Sequence, residues 1–84
     1  MNILFSKTSL TYIKALDKKT KDRIIKAIDK LPDKGDIVKI LGKKIKNIFR
    51  LRVGKYRIIF HVEEDQIKIL DVDGRGDIYK QSLL

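Results

Sequence analysis

The chain has 84 residues and no cysteine, with 43% hydrophobic and 37% charged side chains and a formal net charge of +9. That composition excludes a disordered segment, a disulfide framework, a thiol nucleophile and a cysteine metal site, and the length suits one domain over residues 1–84. No uncharged run approaches the roughly 20 residues a membrane-spanning helix needs, and residues 1–7 lack a basic leader or an apolar stretch of signal-peptide length, so a soluble cytoplasmic protein without membrane contact is expected.

In chain order the pattern predicts a strand, two helices and three strands. Asn2 to Phe5 is a short apolar run, and Ser6 or Thr8 can cap the helix that follows, in which Leu10, Ile13 and Leu16 recur at helical spacing. Asp17 can cap a second helix with Ile24, Ile25, Ile28 and Leu31 on its apolar face, and Pro32-Asp33-Lys34-Gly35 stops it. Lys34 to Lys46 is a basic connector without a clear period. Phe49 to Val53 alternates apolar and basic residues, and Tyr56 to Val62 is rich in β-branched and aromatic ones; both read as strands. Gly54-Lys55 fits a two-residue hairpin turn between them. Glu63 to Gln66 makes the next turn, Ile67 to Val72 the last main strand, Asp73 to Asp77 a loop, and Ile78-Tyr79-Lys80 a return towards the sheet. The expected fold is α+β in the order β-α-α-β-β-β, with a helical hairpin packed on one face of a small twisted antiparallel sheet.

The charge is unevenly placed. Residues 37–62 hold Lys39, Lys43, Lys44, Lys46, Arg50, Arg52, Lys55 and Arg57 and no acid, while the rest of the chain nets only +1. A segment of this kind suits a polyanion, nucleic acid phosphate above all. The hairpin turn sets a register in which Val53 opposes Tyr56, Arg52 opposes Arg57, Leu51 opposes Ile58 and Arg50 opposes Ile59. One face then carries Phe49, Leu51, Val53, Tyr56, Ile58 and Phe60 towards the helices. The other carries Arg50, Arg52, Arg57, Ile59 and His61. Like charges directly opposite are destabilising, by up to about 1 kcal/mol, and a phosphate held between two guanidinium groups would remove the conflict.

Phe49-Arg50-Leu51-Arg52-Val53-Gly54-Lys55-Tyr56-Arg57-Ile58-Ile59-Phe60, together with Arg75-Gly76-Asp77-Ile78-Tyr79-Lys80, resembles the RelE/ParE toxin superfamily of type II toxin–antitoxin pairs. The resemblance implies a RelE-like fold and, for RelE-type members, an endoribonuclease that cuts mRNA in the ribosomal decoding site. By the same resemblance Arg57 would hold the scissile phosphate, Arg75 would stabilise the leaving group or transition state, and Tyr79 would stack on a base or touch the reacting ribose. Arg50 and Arg52 match strand positions that are basic in RelE-type members. Lys39, Lys43, Lys44, Lys46 and Lys55 would bind the RNA backbone. The partner implied is a cognate antitoxin, a small and acidic chain with an amphipathic helix that covers the helical hairpin or the basic face. ParE-type members poison DNA gyrase instead, which is the alternative reading; a non-catalytic RNA-binding or ribosome-associated module is another.

The chemistry expected of a RelE-type member needs no metal or cofactor. RNA supplies its own nucleophile: the 2′-hydroxyl attacks the adjacent phosphate and leaves a 2′,3′-cyclic phosphate and a 5′-hydroxyl. In-line positioning and stabilised charge on the phosphoryl oxygens account for much of the acceleration, and arginine suits both tasks. Arginine stays protonated, so it cannot replace a lysine general base where the family uses one. Tyr79, His61 and Lys55 are the titratable candidates for that role, and the sequence singles out none of them. Glu63, Glu64 and Asp65 read as a polar turn and not as a metal site.

Overall fold

The computed structural model describes residues 2–40 and 46–74. Its elements are β1 (Asn2–Phe5), α1 (Lys7–Lys14), α2 (Lys18–Asp29), β2 (Asp36–Ile40), β3 (Ile48–Val53), β4 (Tyr56–Glu63) and β5 (Gln66–Asp73). The strands form one sheet in the order β1-β5-β4-β3-β2, antiparallel throughout except for the parallel β1–β5 pair.

Local chemistry places both helix starts. Ser6 caps α1 by accepting from the Ser9 N–H, and Asp17 caps α2 by accepting from the Thr20 N–H. The hydrogen bonds from Thr20, side chain then backbone, hold the Asp17 carboxyl below its ordinary value of 3.8. Ser6 and Ser9 also bind α1 to the sheet. The Ser6 hydroxyl donates to the Leu70 carbonyl at 2.9 Å and the buried Ser9 hydroxyl lies 3.1 Å from the Ile69 carbonyl. These two carbonyls lie at an irregularity in the β4–β5 ladder, where pairing steps from Ile59–Asp71 to Phe60–Ile69 and leaves Leu70 as the extra residue. The Leu70 carbonyl of the bulge thus finds a hydroxyl partner at the start of α1, and the Ile69 carbonyl, which also accepts the Ser6 backbone N–H, gains a second.

One face of the sheet packs against the helices. Ile13, Ile24, Ile28 and Leu31 from the helical half meet Leu51, Ile58, Phe60, Ile67, Ile69 and Val72 from the strands in one buried cluster. Burying these branched and aromatic side chains is the main favourable term in folding. Phe49, Val53 and Tyr56 border that cluster, as the alternation in the hairpin predicts.

The α+β class and the expected order hold, with three differences. The segment read as a basic connector over 34–46 contains a strand, β2, whose five residues pair with Ile48 to Arg52 on the outer side of β3. Its sequence Asp-Ile-Val-Lys-Ile has the β-branched content of a strand, but an edge strand exposes much of both faces and shows no clean alternation. The expected purely antiparallel sheet is mixed, because β1 runs parallel to β5 at the opposite edge. Leu10, assigned to the apolar stripe of α1, is 39% exposed, and Ile13 carries the buried contact instead. The register of the β3–β4 hairpin is the predicted one from Val53–Tyr56 through Arg50–Ile59, and Gly54 has φ +60 at the first turn position, where glycine is free of Cβ strain. No helix among the described residues is long and apolar enough to cross a membrane.

Candidate active site

The sheet face opposite the helices carries the charged residues. Side chains directly opposite in a ladder share a face, so the registers order this surface into rows across the strands. One row runs Asp36 (β2), Arg52 (β3), Arg57 (β4) and Asp73 (β5). The next runs Val38, Arg50, Ile59 and Asp71. Arg50, Arg52 and Arg57 therefore sit as neighbours on adjacent central strands. Their apolar floor is a second small cluster formed by Ile48 and Ile59, with Ile40 packed against it.

The first row brings Arg52 opposite Arg57 as the hairpin register predicts, and adds an aspartate at each end, so the charges run acid, base, base, acid. Asp36 Oδ2 is 3.3 Å from Arg52 Nε and Asp36 Oδ1 is 3.5 Å from Arg50 Nη2. Asp73, the register partner of Arg57, is buried at 8% exposure. Asp36 thus offsets part of the repulsion on the Arg52 side of the pair. Replacing Arg52 by threonine removes both an exposed ion pair and a like-charge contact, each up to about 1 kcal/mol and of opposite sign. Thermal unfolding of Arg52→Thr is expected within about 5 °C of the parent. A larger drop would mean that Arg52 holds the sheet through more than Asp36.

A different feature favours an anion here. The Nε–H groups of Arg50 and Arg57 are both buried and have no hydrogen-bond partner among the described residues. A buried donor left unpaired costs roughly 1–3 kcal/mol. Both Nε–H groups are closed to solvent, so an oxyanion over the face meets the half-exposed Arg52 guanidinium directly and reaches these two donors only if the side chains above them shift.

The remaining predicted residues divide clearly. Lys55 lies in the hairpin turn, and its Nζ is 5.4 Å from the centre of the ring of Tyr56, a residue on the helix side of the sheet. Lys46 is exposed just before β3. Lys39 pairs with Phe49 and so falls on the helix side of the sheet, away from the arginines. His61 shares the face of Arg57 but stands four residues along β4, about 13 Å away at strand rise. Its Nδ1 is 3.4 Å from Glu63 Oε1, an oxygen that also lies 3.7 Å from Lys68 Nζ. That distance along β4 separates His61 from Arg57, but not from Arg50, whose register partner Ile59 is two residues from His61, so that Arg50 and His61 are diagonal neighbours at roughly 7–8 Å. Lys43, Lys44, Arg75 and Tyr79 lie outside the described residues. Among the described residues no group of His, Cys, Asp and Glu could hold a metal ion.

Sequence reasoning missed Asp36 and Tyr12. Asp36 stands one position before the acid-free segment, and recognising Ile37-Val38-Lys39-Ile40 as a strand would have placed it opposite Arg52. The Tyr12 hydroxyl accepts the Gly74 N–H at 2.9 Å, fastening the end of β5 to α1. A Cβ on Gly74 would fall 2.7 Å from Tyr56 Cε1 and 3.1 Å from the Tyr12 oxygen, so only glycine fits between the two rings. No local pattern announces that contact.

A family model described as the ParE toxin of type II toxin–antitoxin system, parDE, matches residues 3–79. Among solved structures, the RelB-RelE antitoxin-toxin complex from Methanococcus jannaschii contains a chain 34% identical to this one, with 94% of this chain and 98% of that chain covered and a TM-score of 0.73. The archaeal RelE-RelB complex from Pyrococcus horikoshii OT3 follows at 28% identity, 89% and 94% coverage and a TM-score of 0.75. The YoeB dimer from Staphylococcus aureus is 27% identical over 84% of this chain and 92% of that one, with a TM-score of 0.61. No curated protein matches the sequence. Two helices on one face of a five-stranded, mostly antiparallel sheet is the RelE-like α+β fold. The chain belongs to the RelE/ParE superfamily of toxins from type II toxin–antitoxin systems.

Proposed function

We propose that this toxin is a RelE-type endoribonuclease that cuts mRNA, in dependence on the ribosome, by attack of a 2′-hydroxyl on the adjacent phosphate. The observation that carries the reading is the set of three arginines, Arg50, Arg52 and Arg57, that the strand registers bring side by side on one sheet face. Arg57, central in the row, holds the scissile phosphate; Arg50 and Arg52 take its other oxygens or those of the next nucleotide. Charge grows on these oxygens as the 2′-oxygen bonds to phosphorus and the 5′-oxygen leaves, and fixed guanidinium donors stabilise that charge more than the ground state. Lys46 and Lys55, with Lys43 and Lys44 in the adjoining segment, draw in the RNA backbone. Arg75 and Tyr79, carried over from the family resemblance, complete the set. The proton on the 2′-hydroxyl leaves without a base assigned among the described residues; general base catalysis typically contributes about 10²–10⁴-fold, so cleavage is slower without it and not abolished.

The cognate partner in this reading is a small acidic antitoxin, and both act in the cytoplasm. The two most similar structures above are complexes of RelE with RelB, which supports such a partner here. Expressed alone, the protein is expected to arrest growth and to create new mRNA 5′ ends within translated regions, with chromosomal DNA intact. Mapping RNA 5′ ends after induction checks this. Double-strand breaks at gyrase sites with unchanged mRNA ends would overturn it in favour of gyrase poisoning, the activity of ParE-type toxins.

A further inference from the structure

The arginines of the charged face do not stand alone. Arg50 and Arg52 share one carboxylate, Asp36, on the edge strand β2. Each Asp36 oxygen addresses a different guanidinium group: Oδ1 lies 3.5 Å from Arg50 Nη2 and Oδ2 lies 3.3 Å from Arg52 Nε. A phosphodiester also presents two non-bridging oxygens, so the carboxylate occupies the kind of position a bound phosphate would take. The side chain of Asp36 is 51% exposed and both contacts are long, which makes this a weak and readily opened pair. Arg50 is only 12% exposed and still has its Nε–H unpaired, so Asp36 satisfies this residue only in part.

We propose that Asp36 is a resident counter-anion of the RNA site. It holds Arg50 and Arg52 over the sheet in the free protein and is displaced from them by an RNA phosphate. The inference rests on the reading of this face as an RNA phosphate site. Asp36 is then a specificity-determining residue that opposes binding: an incoming phosphate must out-compete a carboxylate already in place, which favours a polyanion that engages several cations at once over a single small anion. Its position on the outermost strand lets the carboxylate swing away without disturbing the central hairpin.

The test is binding of a short single-stranded RNA, followed by fluorescence anisotropy at several salt concentrations. The parent protein should bind with a log–log salt slope of about −3 to −4, as four to six phosphate contacts imply. Asp36→Asn and Asp36→Ser should each bind about fivefold more tightly at low salt, because one opposing charge close to the phosphate is gone. The gain should vanish when Arg50 and Arg52 are both replaced by glutamine. Unchanged or weaker binding by an Asp36 variant that unfolds at the parent temperature would overturn the proposal, and so would a gain that persists without the two arginines. A parent slope near zero would instead overturn the RNA reading on which the proposal rests.

Discussion

Replacing Arg57 by glutamine is expected to lower mRNA cleavage by about 10²-fold or more, the loss typical when one preorganised donor to a developing oxyanion is removed. Arg57 is the central cation of the face, opposite Arg52 on one side and Asp73 on the other. Arg57 is itself partly buried, its Nε closed to solvent, so removing the guanidinium can disturb packing as well as activity. Arg57→Lys separates the two effects. Lysine keeps the charge in the row but lacks the planar fork, so it holds a phosphate oxygen as a point charge without bidentate geometry. Its thermal unfolding should stay within about 5 °C of the parent while cleavage drops by at least about tenfold. Quantified 5′ ends from a translated reporter, measured beside unfolding of the same preparations, decide the matter. Wild-type cleavage by folded Arg57→Lys and Arg57→Gln would remove Arg57 from the active site, and undiminished growth arrest without cleavage would point to another target.

The largest effect on stability is expected at Phe60. Its side chain is fully buried on the central strand β4, with its ring stacked on Phe49 at 5.5 Å between centroids and 22° between planes. Truncation to alanine removes most of an aromatic side chain from a core that cannot collapse around it, at about 3–5 kcal/mol. A chain of this length has a total stability of roughly 4–13 kcal/mol at 0.05–0.15 kcal/mol per residue, so Phe60→Ala loses a large share of it. Phe60→Leu, which keeps more volume, should lose distinctly less. Denaturant unfolding should show the midpoint falling from parent to leucine to alanine at constant slope. A midpoint unmoved in Phe60→Ala would contradict a core centred on β4.

The two helices and the hairpin were legible because their determinants are local. Ser6 and Asp17 cap helices through hydrogen bonds to residues three positions on, and Ile13, Ile24, Ile28 and Leu31 lie at helical spacing. Gly54 at φ +60 sets a turn that fixes the register of β3 against β4, and with it which face each arginine occupies. A side-chain period of two leaves no freedom once one pair is known. Family membership was legible for the same reason, since the residues that carry it lie in that hairpin and in residues 75–80.

The surroundings of those arginines were decided by long-range pairing. Asp36 meets Arg50 and Arg52 only because β2 adds to the outer side of β3, after a connection whose sequence carries no register signal. Asp73 comes opposite Arg57 only because the Leu70 bulge shifts the count along β5; without that extra residue the parity of its carboxyl end would be reversed. Tyr12 reaches Gly74 across 62 positions of chain. Local spacing therefore determined that the cations share a face, because a turn and a two-residue period transmit register between adjacent strands. Tertiary structure decided that aspartates flank them and that two Nε–H groups are buried without partners among the described residues, because those facts depend on the order in which distant strands join the sheet.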